Sequence, residues 1–199
     1  MPQAGQKQHV DLFRKLMLRR RLLRDALPGP AYVPFCGDGD IAKELYSDRQ
    51  IYAADLDADR VHNAQSAMPS AVVRLADCDD WPFADLDLPP FTVCDFDAYA
   101  DPYASFRSFW QEAPKSNRIA LIFTDAQKLS IFLNGTYIHP TGEKVVIPRA
   151  PNTRRRIMAF YFRQTVLPWF IDAVKPWRVS RKQMYLRSHM LYWGAVVEL

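Results

Sequence analysis

Only three cysteines occur in 199 residues, Cys36, Cys78 and Cys94, and they lie far apart. None belongs to a CxxC pair, no histidine spacing beside them suits zinc, and an odd number argues against a disulfide framework. A reducing, cytoplasmic setting is the natural expectation. No run approaches roughly 18 apolar residues, so no transmembrane helix is expected. The opening MPQAGQKQHVDLF lacks the apolar core of an export signal. The four histidines, His9, His62, His139 and His189, share no spacing that suggests a metal site. Internal repeats and low-complexity segments are missing as well.

What remains is a chain that is 49% hydrophobic and 24% charged, long enough for one domain with a sizeable core and too short for two ordinary ones. Its 26 Lys and Arg exceed its 22 Asp and Glu by four, but the signs are unevenly spread. Acids dominate from Asp38 to Asp101, and bases dominate both ends. Such asymmetry suggests a cofactor region and a separate surface for an anionic partner.

The segment from Val10 to Leu27 carries Phe13, Leu16, Met17, Leu23 and Leu27 at helical spacing, with Arg and Lys filling most of the rest. Pro28, Gly29 and Pro30 stop it, so residues 1–29 read as a basic helical extension. Short apolar runs follow, AYVPF, IYAAD, AVVRLA, FTVCDF and RIALIFTD, each with a polar turn and a helix-like stretch behind it. This alternation predicts a mostly parallel sheet with crossover helices over residues 30–199. Residues 126–156, with Gly135, Gly142, Pro140, Pro148 and Pro151, read as an inserted loop or hairpin and not as a helix. A helix is expected from about Arg154 to Val174, kinked or split at Pro168. RVSRKQMYLR and MLYWGAVVEL read as a closing antiparallel pair.

The turn VPFCGDGDIAKEL places Gly37 and Gly39 just after a strand ending in Phe35, which lets backbone approach a ligand at the carboxyl edge of the sheet. A third glycine is missing, so the pair alone also fits a tight turn. The second strand ends in Asp55, where a carboxylate can accept hydrogen bonds from both ribose hydroxyls of a nucleoside, with Leu56 next to it. The third ends in Asp77 and Cys78, where an acid can accept from an adenine amino group. Helix capping is the alternative for each aspartate taken singly.

This order of strand ends resembles the class I S-adenosylmethionine-dependent methyltransferases. That resemblance implies a Rossmann-like α/β fold, with a seven-stranded, mostly parallel sheet, an antiparallel last strand and helices on both faces. It implies Asp38 or the Gly37 backbone near the methionine moiety, Asp55 at the ribose and Asp77 at the adenine. Phe35, Gly39, Leu56, Cys78 and Asp95 complete the expected cofactor-binding set.

In such a fold the end of the fourth strand faces the methyl group, and there the chain reads DFDAYADPY. Two registers compete, Asp97-Ala98-Tyr99 and Asp101-Pro102-Tyr103. FTVCDF should end near Phe96, which makes Asp97 the first residue able to reach the cofactor and leaves Asp101 and Pro102 as the cap and start of the next helix. DFDAYADP is similar to the DxDPYGSP motif of tRNA guanine-N2 dimethyltransferases, matching at Asp95, Asp97, Tyr99 and Pro102. FTDAQ, Phe123 to Gln127, is similar to their TxTD segment. By that resemblance Asp97 holds the guanine amino group and Tyr99 flanks the base. Ala98 and Ala100 depart from the proline and glycine of the motif.

LFRKLMLRRRLLRD, NTRRR and RVSRKQMYLR cluster bases, and Arg154, Arg155 and Arg156 stand beside the expected substrate side. Phosphate binding is one reading of these clusters, RNA before DNA, and an ion-pair network with the acidic half is the other. Alternatives to RNA methylation are an amino-methyltransferase acting on DNA adenine, a small-molecule or protein methyltransferase, and a non-catalytic adaptor of the same fold.

Overall fold

The computed structural model describes residues 12–81, 83, 87–98, 100–150, 152–187 and 189–199. Chain order is α1 (Leu12–Leu23), β1 (Ala31–Pro34), α2 (Asp40–Tyr46), β2 (Ile51–Asp55), α3 (Ala58–Ala67), β3 (Val72–Leu75), β4 (Phe91–Phe96), α4 (Tyr103–Glu112) and β5 (Lys115–Asp125). Then come α5 (Gln127–Asn134), β6 (Thr136–Ile138), β7 (Lys144–Val146), α6 (Thr153–Tyr161), a π-helical turn Phe162–Val166, α7 (Leu167–Ala173), β8 (Arg178–Arg187) and β9 (Met190–Glu198).

Seven strands form one sheet in the order β3-β2-β1-β4-β5-β9-β8. The first five are mutually parallel, while β9 runs antiparallel to both β5 and β8. This is the expected Rossmann-like arrangement. The order reverses between β1 and β4, so the crevice of a switch point opens beyond their carboxyl ends.

Each face of the sheet buries its own core. One is aromatic, with Tyr32, Phe91, Phe96, Phe109, Phe123 and Trp193 among its members. The other is built of smaller residues, including Ala31, Val33, Ala53, Ala64 and Val93, closed by Leu18 and Leu22 of α1. Strand β4 is buried along its whole length, as a parallel strand covered on both faces must be. Helix α1 lies very close to the sheet: a Cβ at Gly194 would sit 2.4 Å from the Leu22 Cδ1. Arg49 ties down the segment behind α1 by donating to the carbonyls of Leu27 and Gly29 at 2.9 and 3.0 Å.

Two readings of the late region change. QKLSIFLN forms helix α5 inside the stretch expected to hold no helix. Gly135, at φ 66°, ends it in the left-handed conformation that glycine adopts without strain. The expected hairpin is confined to β6 and β7. The long late helix is not split at Pro168: it runs on through α6, the π-helical turn Phe162–Val166 and α7, and the wider π turn just before Pro168 accommodates the proline inside the helix.

Candidate functional site at the carboxyl edge of the sheet

The loop after β1 turns sharply, with φ of 60°, 55° and 87° at Phe35, Gly37 and Gly39. The two glycines serve different ends. A Cβ on Gly39 would approach the Ala64 Cα at 3.2 Å, so this glycine permits close packing of the turn on α3. A Cβ on Gly37 would meet nothing within 4 Å, so this one leaves backbone exposed to an open space.

Asp55 organises the same opening. Its Oδ2 accepts from the Gly37 N–H and its Oδ1 from the Asp57 N–H, both at 3.0 Å. Although the residue is only 8% exposed, each carboxylate oxygen keeps a free lone pair. Leu56 follows at 66% exposed, an apolar side chain standing over the edge. At the end of β3, Asp77 is exposed and accepts from the Asp79 N–H at 2.9 Å. Asp38 is exposed and receives a hydrogen bond from the Asn63 side chain at 2.9 Å. An open glycine backbone, a carboxylate pair with spare acceptors and an apolar cover suit a nucleoside with an attached charged chain, so the residues present fit S-adenosylmethionine.

Two residues expected at the cofactor lie instead in the interior. Cys78 is 1% exposed; its Sγ accepts from the Phe35 N–H at 3.3 Å and its carbonyl from the Ser105 hydroxyl at 2.7 Å. Burial pushes its thiol up to about 12, so it is an uncharged tie between the β1 and β3 loops. Asp95 is wholly buried. Arg19 grips it with two hydrogen bonds, Nε to Oδ2 at 2.7 Å and Nη2 to Oδ1 at 2.8 Å, and the Tyr46 hydroxyl donates to Oδ2 at 2.7 Å. Side-chain alternation along β4 explains the location: Cys94 and Phe96 face the aromatic core, so Asp95 and Asp97 face α1.

Asp97 stands one residue past β4. Lys15 Nζ donates to both of its oxygens, at 2.9 and 3.1 Å, and Arg19 Nη2 lies 3.5 Å away. Burial pushes this carboxyl up, but Arg19 and Lys15 outweigh it and hold the group below the usual carboxylate value. Asp97 is therefore an ionised acceptor whose present guest is a primary ammonium group. Asp101 accepts from the Tyr103 N–H at 2.9 Å, one residue ahead of Pro102, the N-cap of α4. Tyr99 lies outside the described residues, as does His9.

The bases of α1 are largely committed to acids and rings. Besides Lys15 and Arg19, Arg20 pairs with Glu44 at 2.5 Å and Arg14 contacts the hydroxyl and ring of Tyr185. The three arginines of NTRRR separate. Arg154 donates to the Phe132 carbonyl at 3.1 Å and so caps the end of α5, Arg155 lines a groove beside it, and Arg156 is exposed outside that groove.

A buried acid at the end of β5 was not among the expected site residues. Asp125 accepts from the Tyr103 hydroxyl at 2.5 Å and from the Gln127 N–H at 2.7 Å, and Trp193 Nε1 donates to the same hydroxyl at 3.3 Å. Burial pushes it up to about 7. Its signal in the sequence was an acid closing the long apolar run RIALIFTD. The inward partners Lys15 and Arg19 had no such signal, because their bases are indistinguishable from those on the solvent face of α1. Among the described residues no cluster of three or more His, Cys, Asp or Glu suits a metal ion, and no helix is long and apolar enough to cross a membrane.

No family model and no curated protein matches the chain. Solved structures do. The N-methyltransferase NodS from Bradyrhizobium japonicum WM9 superposes with a TM-score of 0.59 at 9% identity, over 96% of this chain and 97% of that one. The magnesium protoporphyrin IX methyltransferase ChlM from Synechocystis PCC 6803 with bound SAM gives 0.52 at 13%, over 98% and 86%. TrmN from Thermus thermophilus gives 0.51 at 19%, over 94% of this chain and 52% of that one. The chain shares the Rossmann-like fold of these class I methyltransferase structures, with the antiparallel β9 in the same sheet.

Proposed function

We propose that the protein transfers a methyl group from S-adenosylmethionine to an exocyclic amine of a nucleic-acid base, with guanine N2 of a structured RNA as the acceptor. The observation that carries this reading is Asp97: an ionised carboxylate one residue beyond β4, already holding an amine, that of Lys15. S-adenosylmethionine, when bound, supplies a methyl group on cationic sulfur. The chain's own residues bind and orient. Gly37 leaves room for close approach, Asp55 offers acceptors to ribose hydroxyls, and Asp77 and Leu56 flank the adenine. Asp97 accepts N–H bonds from the incoming amine and turns its lone pair toward the methyl group. Positioning of this kind supplies much of the rate. The role of flanking the base falls to Tyr99 by the motif resemblance alone. Support also comes from NodS, an N-methyltransferase crystallised with S-adenosyl-L-homocysteine.

The same carboxylate favours a second reading. Because Lys15 and Arg19 already satisfy Asp97, the chain is alternatively a cofactor-binding module without turnover. Calorimetric titration with S-adenosylmethionine and its demethylated product, with NAD and ATP as controls, followed by transfer of labelled methyl to RNA, separates the readings. Selective binding with label on guanine N2 is expected. Binding without transfer to RNA, DNA or small amines would establish the module, and no binding would overturn both.

A further inference from the structure

A groove of about 610 Å³ opens between the end of α5, the strand-free stretch before α6, the first turn of α6 and the β8–β9 turn. Leu191 of β9 pairs with Asp125 at the end of β5. The β8–β9 turn therefore lies at the carboxyl edge of the parallel strands, the edge that also carries Gly37, Asp55 and Asp97. The groove has the volume of an ordinary ligand site.

Its lining combines guanidinium groups with rings. Arg149, Arg154 and Arg155 contribute the charge, Phe132, Met158 and His189 belong to the wall, and no acid lines it among the described residues. Arg154 is occupied with the α5 carbonyls, and its guanidinium packs so closely on Gly135 that a Cβ there would lie 2.5 Å from Nη2. Arg149 and Arg155 have no carboxylate partner among the described residues, unlike the paired bases of α1. Phe132 stacks on the His189 ring with centroids 4.4 Å apart and planes 18° apart, yet is 51% exposed. His189 Nδ1 is buried, with no hydrogen-bond partner among the described residues.

An exposed aromatic face, supported from behind by a second ring and flanked by unpaired arginines, matches the two halves of a nucleotide: a planar base to stack and a phosphate to neutralise. We propose that this groove is a binding site for an unpaired, single-stranded nucleotide of the RNA substrate, its base on Phe132 and its phosphate on Arg149 and Arg155, with Arg154 as the fixed floor. The inference rests on the reading of RNA as substrate and adds a holding site apart from the methyl-transfer carboxylate.

The test uses the full chain and a fluorescein-labelled, unstructured oligoribonucleotide, with affinity read by anisotropy across a salt series. Replacing both free arginines, as Arg149→Gln with Arg155→Gln, lowers affinity at least about tenfold and flattens the log–log salt slope by about 0.7, the contribution of the one phosphate they share on a single strand. Phe132→Leu lowers affinity severalfold and leaves the slope unchanged, because stacking releases no counterions. Lys175→Gln, at an exposed residue that pairs with Asp172 outside the basic clusters, is the control and leaves both unchanged. Equal binding by wild type and the double variant would overturn the inference, as would a wild type that does not bind the oligoribonucleotide. Calorimetry with S-adenosylmethionine on the same preparations is scored separately, so loss of the cofactor reading is distinguishable from loss of the groove.

Discussion

Lys15 Nζ lies 2.9 and 3.1 Å from the two carboxylate oxygens of Asp97, which places an amine from the chain's own first helix on the acid that ends β4. Both side chains are mostly buried, at 13% and 15% exposed, so the pair is not a screened surface contact. Any acceptor amine that uses Asp97 must displace this ammonium. The helix is thus both a wall of the core and a competitor for the site.

Substitution separates these roles. Asp97→Asn keeps the shape and loses the charge; methyl transfer should fall by more than about tenfold, or about 1.4 kcal/mol of transition-state stabilisation, while cofactor affinity changes less than about twofold. Lys15→Met removes the competitor and should lower KM for the amine acceptor with kcat little changed. Steady-state kinetics on both variants check this. A higher KM in Lys15→Met would show that Lys15 helps to hold substrate.

Deeper in the same network, Arg19 and Asp95 are both fully buried. Removing one member of such a pair strands a charge in the core, which costs about 3–5 kcal/mol. Arg19→Met should therefore lower the urea midpoint severely, and Arg19→Met with Asp95→Asn should recover a large part of the loss because the remaining group is neutral. Denaturation of the three proteins checks this, and an additive double variant would show that the two residues act independently.

Much of this fold is legible in the pattern of apolar runs. AYVPF, IYAAD, AVVRLA and FTVCDF each contain an observed strand, RIALIFTD lies within β5, which begins three residues earlier at Lys115, and the reading that FTVCDF ends at Phe96 puts Asp97 at the rim. QKLSIFLN escaped because Gly135 and the prolines downstream dominate its neighbourhood, whereas its helix is fixed by tertiary packing and by Arg154 on its last carbonyls. Within the site, strand-end positions were readable since they depend on local sequence. Which of the α1 bases point inward was not, since that depends on how α1 crosses the sheet, and neither was the meeting of Phe132 with His189 across 57 positions of chain.

The cofactor assignment has its own signature. Gly37→Ala introduces a Cβ at φ 55°, a strained conformation costing on the order of 1 kcal/mol, and places a methyl in the open space beside the backbone. Asp55→Ala removes the acceptor of the Gly37 N–H. Both should weaken S-adenosylmethionine binding by about tenfold or more in calorimetry, and Asp55→Ala should also lower thermal stability. Unchanged dissociation constants would move the cofactor away from this loop.

Asp125 makes stability depend on pH in a direction opposite to that of most carboxylates. Burial lifts it from 3.8 to about 7, so between about pH 4 and pH 7 the folded chain binds a proton that the unfolded chain has released. Stability is then highest at the acid end of this window, falls as pH rises through it, and levels off above the folded value, a total on the order of 2–4 kcal/mol. Asp97 acts in the other sense: its lowered value contributes stability that is present above the ordinary carboxylate range and lost as pH falls through the folded value. Urea midpoints at pH 5 and pH 8 should therefore favour pH 5 in the wild type. Asp125→Asn, which is neutral at both values and keeps a carbonyl for the Tyr103 hydroxyl, should remove most of the difference. A variant that retained the full slope would place the titrating group elsewhere.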